Sequence, residues 1–392
     1  MSELKPGWRR VKFGEVATHI AERAEPTPEE TALYVGLEHL DSGSLTVRRW
    51  GSQTELIGTK LRMRKGDILF ARRNAYLRRV AIAPHDGLFS AHGMVLRPRP
   101  PHIAPEFLPF FMQSDLFMDR AEKISVGSLS PTINWSSLRD EEFALPPLEE
   151  QRRLSKALQA LSNLDATLQD CENAAKRISD AVAAASFPVA TTDDRTSALG
   201  DLCTEITVGI VIQPARWYVP PNQGVVALIM KNVQRGCIDM GDVTYISHEG
   251  HSAHSKSILR KGDVIAVRSS GSVERTGDAA VVPAELDGAN CIDLLIARPG
   301  PGLLPEYVCE YLNAPTTRSV LVGTSSGTMQ KHLNVGALKK LRIPAVGTDE
   351  QQRVVGQLRE LKTAVRLKSA RRTQLQHVRR QVFAALTGEV SQ

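Results

Sequence analysis

The chain has 392 residues, 42% hydrophobic, 23% charged and only 5% aromatic, a globular composition too long for one ordinary domain, so at least two cores are expected. Lysine and arginine total 49 against 43 aspartates and glutamates, and the resulting charge of +6 suits an acidic partner. Five cysteines (Cys171, Cys203, Cys237, Cys291, Cys309) without a C-x-x-C pair exclude a disulfide framework and a zinc knuckle. No apolar run reaches about 18 residues and the start MSELKPGWRR lacks an apolar signal core, so a cytoplasmic, non-membrane protein is expected.

In chain order, residues 1–148 read as a mixed α and β domain. Asp67-Ile68-Leu69-Phe70-Ala71 is a short strand, and the preceding Lys65-Gly66 is a turn. Around it lie Arg62, Arg64, Lys65, Arg72, Arg73, Asn74, Arg78 and Arg79, types that neutralise phosphates and can form paired hydrogen bonds to base edges. Pro105 opens a stretch, 106–117, with the apolar spacing of a helix. Gly127-Ser128-Leu129-Ser130-Pro131 reads as a structural turn. After Leu145-Pro146-Pro147-Leu148 comes a long stretch, 149–190, almost free of glycine and proline. Its apolar residues Leu154, Leu158, Leu161, Leu168 and Ile178 follow helical steps.

Residues 191–347 repeat this grammar. Asp263-Val264-Ile265-Ala266-Val267 is the matching strand, Pro305 opens a helix over 306–312, and the basic and polar candidates are His254, Lys256, Arg268, Ser269, Ser270 and Arg275. Residues 348–392 form a second long helix and tail, with Val354, Leu358, Leu361, Val365, Leu375, Val378 and Val382 in register. A single apolar stripe of that length needs a partner helix, and the other half supplies one.

The likeness of the halves is a duplication. Lys65-Gly66-Asp67-Ile68 recurs 196 residues later as Lys261-Gly262-Asp263-Val264, and Glu150-Gln151-Arg152-Arg153 recurs 200 later as Glu350-Gln351-Gln352-Arg353. Pro105-Glu106-Phe107-Leu108 and Ile133-Asn134-Trp135 likewise return at 200 as Pro305-Glu306-Tyr307-Val308 and Leu333-Asn334-Val335. The collinear order of such landmarks over half the chain excludes chance.

No catalytic motif appears. There is no G-x-x-x-x-G-K-[ST] loop and no G-x-G-x-x-G after a strand. Gly323-Thr324-Ser325-Ser326-Gly327 follows the repeat as a turn. His248-Glu249-Gly250-His251-Ser252-Ala253-His254 has histidines three apart rather than four, so it reads as a polar loop and not a metal site.

These residues resemble a family, the specificity subunits of type I restriction-modification systems. The likeness rests on the tandem layout, on Leu145 through Arg153 with its copy Ile343-Pro344 through Arg353, on the Lys-Gly-Asp turns, on segments 127–134 and 323–334, and on Phe383-Ala384-Ala385-Leu386-Thr387-Gly388-Glu389. The second copy lacks the double proline, and the first helix ends in Ser186-Phe187-Pro188 without the Gly-Glu ending.

The resemblance implies an α+β protein with two target-recognition domains (1–148 and 191–347), each followed by a spacer helix (149–190 and 348–392), the helices packing as an antiparallel coiled coil. Each domain would read one part of a split site in double-stranded DNA. The chain would carry no catalytic residue, cofactor or metal. It would give specificity to two methyltransferase subunits and to restriction subunits, and S-adenosylmethionine, ATP and Mg would sit on those partners. The alternatives are a protein-protein scaffold built on the helical pair, or a nucleic-acid enzyme with an unrecognised site.

Overall fold

The computed structural model describes residues 4–51, 56–188, 195–221, 223–269, 275–323 and 333–384. They fall into two compact units, residues 1–170 with 368–392 and residues 171–367. The first unit holds strands β1 (Arg9–Lys12), β2 (Ala17–Ile20), β3 (Arg23–Ala24), β4 (Tyr34–Val35), β5 (Lys60–Met63), β6 (Ile68–Phe70), β7 (Val80–Ile82), β8 (Gly87–Phe89), β9 (Met94–Pro98) and β10 (Glu142–Leu145). They pair as β1-β10, β2-β9-β6-β7 and β3-β5-β8-β4, antiparallel except for β4 with β8. Helices α1 (Phe13–Val16), α2 (Leu108–Gln113), α3 (Asp115–Lys123) and α4 (Trp135–Leu138) cover one face, and α5 (Leu148–Ser186) follows β10.

Strand β6 is apolar throughout because both of its faces are covered. Ile68 and Phe70 enter a core with Phe13, Phe107, Phe111, Phe117 and Phe143, while Leu69 enters a second core with Val35, Leu61, Met63, Phe89 and Val95. Phe117 centres the first, its ring 5.1 Å from Phe13, 5.6 Å from Phe143 and 5.8 Å from Phe70 and Phe111. The stretch 106–117, read as one helix, is two. Ser114 is extended and caps α3 by accepting from the Phe117 N–H, which ends α2 one residue earlier.

The second unit repeats the plan. Its strands are β11 (Thr196–Ala198), β12 (Cys203–Val208), β13 (Tyr218–Val219), β14 (Val225–Leu228), β15 (Val233–Gln234), β16 (Cys237–Ile238), β17 (Thr244–Ile246), β18 (Val264–Val267), β19 (Ala279–Val281), β20 (Asn290–Cys291), β21 (Leu294–Pro299) and β22 (Arg342–Pro344). The pairings β11-β22 and β12-β21-β18-β19 match two sheets of the first unit. The third, β13-β17-β14-β20, keeps the parallel pairing of β14 with β20 that β4 makes with β8 but places β14 rather than β20 beside β17, and β15-β16 is an added ribbon. Helices α6 (Leu199–Leu202), α7 (His248–Ala253), α8 (Pro305–Asn313), α9 (Pro315–Gly323) and α10 (Val335–Lys340) precede α11 (Thr348–Ala384).

The Lys-Gly-Asp turn is structural in both copies. Gly66 and Gly262 take φ of +90° and +87°, a region that favours glycine. The buried Asp67 accepts from the Arg64 N–H at 2.8 Å and from Arg97 Nε at 2.6 Å. Asp263 accepts from the Arg260 N–H at 2.9 Å and from Arg298 Nε at 3.3 Å.

In the first unit the early turns of α5 pack on the last turns of α11: Leu158 and Phe383 share a core with Leu154 and Val382 against it, and Arg372 Nε lies 3.2 Å from Asp165. In the second, Val182 and Ala183 late in α5 pack with Val354, Val355 and Leu358 early in α11. The pair is therefore antiparallel. Leu161, Leu168, Leu361, Val365 and Leu375 are half-buried along it. Ile178 and Val378, assigned to this seam by spacing, are instead exposed, and their neighbours Ser179 and Arg379 turn inward. Stepping through the leucines by threes and fours leads one position off a stripe whose period is 3.6. The two errors are repeat mates, 200 residues apart.

Each domain is fastened to its long helix by a buried glutamine. Gln151, 1% exposed, accepts from the Ala104 N–H at 2.8 Å and donates to the His102 and Pro146 carbonyls at 3.1 and 2.9 Å. Gln351, 3% exposed, accepts from the Leu304 N–H at 2.8 Å and donates to Gly302 and Val346 at 2.9 Å. Gln151→Ala leaves one buried N–H and two carbonyls without partners and is expected to cost about 3 kcal/mol, against under about 0.5 kcal/mol for exposed Gln159→Ala. Chemical denaturation of the two variants checks this; equal losses would show that the glutamine is no clamp.

Candidate nucleic-acid interface

The basic cluster of the first unit is sorted by its partners. Arg62 Nη1 lies 2.5 Å from Glu30, and Arg79 donates to the Leu37 carbonyl at 2.9 Å. Arg78 is enclosed by three carboxylates, bonding Asp115 at 2.7 Å, Glu122 at 2.8 Å and also Asp119. These acids stand on one face of α3 at steps of four and three, and they neutralise Arg78 where it stands. Arg64 and Lys65 are exposed on the turn before β6, their backbone N–H groups held by Asp67 and Asp86.

Arg72 and Arg73 differ. Among the described residues no carboxylate pairs with either. Arg72 Nη2 reaches the Ala91 carbonyl at 3.5 Å, and Arg73 lies 3.5 Å from His92 Nε2 and 3.4 Å from Ser130 Oγ. Asn74, the next residue, has φ +56° and starts the turn that carries Tyr76; Arg78, at φ +49°, ends it. The Asn74 Oδ1 and Arg72 Nε atoms are buried without a hydrogen-bond partner among the described residues, a cost concentrated at this one turn.

Two histidines report the potential here. Burial lowers the His92 pKa, and the charges of Arg73, Arg72 and Lys60 lower it further. His19 is lowered by burial and then by Arg72. Neither histidine nor Ser130 was named as a site residue from the sequence. His92 lies in the loop between β8 and β9, about twenty residues from the arginines, and no local pattern links them; only the pairing of β6 with β9 brings them together.

The second unit uses its equivalents differently. Leu333 N–H donates to the Arg268 carbonyl at 2.9 Å as Ile133 N–H does to Arg72 at 3.0 Å, so the two arginines correspond. The Arg97 and Arg298 partners of the two turns set His92 against Asp293, each 201 residues apart. Arg268 Nη1 is 2.5 Å from Asp293, and Ser269 Oγ is 3.3 Å from it. Arg275 donates to the Met230 and Val233 carbonyls at 3.1 and 2.7 Å, which makes it a brace. Lys256 is exposed, and Ser270 lies outside the described residues, as do 324–327 of the glycine-rich segment.

The segment read as a loop at 248–254 is mostly helix α7. Ser247 caps it by accepting from the Gly250 N–H at 3.1 Å, and Gly250 is required because a Cβ there would meet Trp217 at 2.8 Å. His254 closes the turn by bonding the Gly250 carbonyl at 2.8 Å, with Trp217 5.9 Å away. Arg216, unremarked in the sequence, lies 4.3 Å over that indole. Among the described residues no group of three or more His, Cys, Asp or Glu could hold a metal, and no helix is long and apolar enough to cross a membrane.

Comparison with known proteins finds likenesses over parts of the chain. Residues 7–177 match the type I restriction modification DNA specificity domain. The chain is 24% identical over 299 residues to the type I restriction enzyme EcoKI specificity subunit of Escherichia coli K12, covering 71% of this chain and 62% of that one. It is 35% identical over 118 residues to the putative type I restriction enzyme MjaX specificity subunit of Methanocaldococcus jannaschii, covering 28% and 27%. These matches span less than two thirds of the relatives' lengths. Among solved structures, the type I restriction-modification S subunit of M. genitalium superposes with TM-score 0.59 at 14% identity, over 98% of this chain and 97% of that one. A chain from a study of assembly and conformational transition of the type I R-M system gives 0.58 at 22%, over 99% and 100%.

The electrostatics make a prediction. Arg73→Ala removes a positive neighbour of the His92 ring and should raise its pKa toward the ordinary 6.5, because repulsion of the protonated form falls. NMR titration of the His92 imidazole checks the shift, and Arg64→Ala serves as the control that leaves it in place.

Proposed function

From a chain whose residues 7–177 carry a type I restriction-modification DNA specificity domain and which resembles the specificity subunits of those systems over most of its length, we propose a sequence-specific reader of a bipartite duplex DNA site. Each unit reads one half-site. The chain itself is non-catalytic and works in the cytoplasm. It confers its specificity on two methyltransferase subunits and on restriction subunits, which supply S-adenosylmethionine, ATP and Mg chemistry. The duplicated domain suits a two-part target, since two similar but non-identical readers address two different sequences.

The observation that carries the reading is the pair Arg72 and Arg73. Arg62 and Arg78 are paired with carboxylates and Arg79 with a carbonyl at 2.9 Å, whereas Arg72 and Arg73 make only long contacts of 3.4–3.5 Å, to a carbonyl, an imidazole and a hydroxyl, and none to a carboxylate among the described residues. Such a spot is completed by an anionic ligand, and phosphate oxygens or guanine edges are the acceptors a guanidinium fits best.

Co-expression with a methyltransferase subunit should give a complex that methylates a split site, while this chain alone methylates nothing. The double variant Arg72→Ala, Arg73→Ala should weaken binding and flatten the slope of log K against log salt by about one for each phosphate that is no longer neutralised. Unchanged binding at every salt concentration would place the DNA elsewhere. A complex that forms and methylates the same sites without this chain would leave only a scaffold role.

A further inference from the structure

The turn at 127–131 does more than reverse the chain. Leu129 at its tip is 97% exposed, Val126 at its base is 66% exposed, and Tyr76, on the adjoining turn, is 58% exposed. Single exposed apolar side chains are ordinary, and Ile57 and Trp50 are others in this unit, but Leu129, Val126 and Tyr76 differ in lying on two turns bonded to each other.

The display is held rigidly. Val126 and Thr132 exchange both backbone hydrogen bonds, at 3.0 and 2.9 Å, and Thr132 Oγ1 donates to the Ser130 carbonyl at 3.0 Å. Asn74 N–H donates to the Pro131 carbonyl at 2.8 Å, and Ile133 N–H donates to the Arg72 carbonyl at 3.0 Å. Gly127 takes φ +111°, which lets the chain turn sharply at that point. The Leu129 tip is thereby fixed to the segment that carries Arg72 and Arg73, and Arg73 touches Ser130, the residue after Leu129. On the far side, Arg78 is locked onto α3 by its three carboxylates, so the turn between is braced at both ends.

We propose that Leu129 is a base-contacting residue: when Arg72 and Arg73 meet the DNA, the rigid turn lays this leucine against bases of the half-site that the first unit reads. The proposal rests on the DNA-reading function above and deepens it. The occupant is DNA because the apolar tip is joined to two arginines that no carboxylate neutralises, and a duplex offers both parts of the complement. Phosphates meet the guanidinium groups, and thymine methyl groups or unstacked base faces meet the leucine. Binding would then require little ordering of the loop, since its backbone is already bonded.

The side chain's exposure makes the test clean, because Leu129→Ala deletes almost no intramolecular packing and should leave the unfolding midpoint unchanged. The full chain, co-expressed with its methyltransferase subunit, is used to select from a randomised duplex library. Leu129→Ala should keep the wild-type salt slope and lose roughly fivefold or more of the preference at one or two base positions of a single half-site. Preference retained at every position would overturn the proposal. So would loss of the methyltransferase subunit from the complex, which would make the turn a protein-docking element. If the wild-type complex itself selects no sequence, the DNA-reading function has failed, an outcome separate from any effect of Leu129.

Discussion

A primary amide, buried at the first turn of each long helix, is the contact on which the rest of the arrangement depends. The amide of Gln151 or Gln351 offers one acceptor and two donor hydrogens, and each site presents one N–H and two carbonyls from two different segments of the domain. Glutamate would lack the donors and bring a charge, while an apolar residue would strand all three groups. The match joins the segment before α2 or α8, the end of β10 or β22, and the helix in one bonded knot. A domain that reads a ligand from loops needs its scaffold fixed to the element that carries it, and this knot supplies that fixity.

The scaffold is common to both halves and the surface is not. The Asp67 and Asp263 turns, the shared order of the sheet built on β6 and β18, and the paired glutamines keep the same geometry in each. Where the loops meet, two exchanges alter the electrostatics, Arg73 to Ser269 and His92 to Asp293. Arg72 faces a loop bearing His92, whose pKa is lowered by burial and by the arginines beside it, while its counterpart Arg268 faces Asp293 and is paired. One copy presents positive charge, and the other spends its arginine on internal support. A duplicated fold with divergent loops is a physical route to two readers of unlike sequences, since β pairing is insensitive to what the connecting loops carry.

In the first unit, charge and shape are built by different means. Positive charge survives only where no acid lies within reach, and the apolar display at Leu129 survives because its turn satisfies its own backbone. Neither arrangement favours the isolated chain, since unpaired guanidinium groups repel one another and an exposed leucine orders water. Such costs are tolerated where a ligand recovers them.

The duplication, the turns before β6 and β18, the two long helices and the family resemblance were all legible in the sequence. Each is written in local pattern: collinear landmarks, a glycine in a three-residue turn, apolar steps of three and four. Tertiary structure decided the rest. Ser114 ended a helix that apolar spacing would have continued, because its hydroxyl caps the next one. Ile178 and Val378 came out of the seam because a stripe of period 3.6 drifts from any stepwise reading. The eight basic and polar residues 62 to 79 looked alike in the sequence. Which of them remain available depends on Glu30, on three acids of α3 and on His92, and those neighbours arrive through strand pairing and packing, over separations that no local pattern encodes.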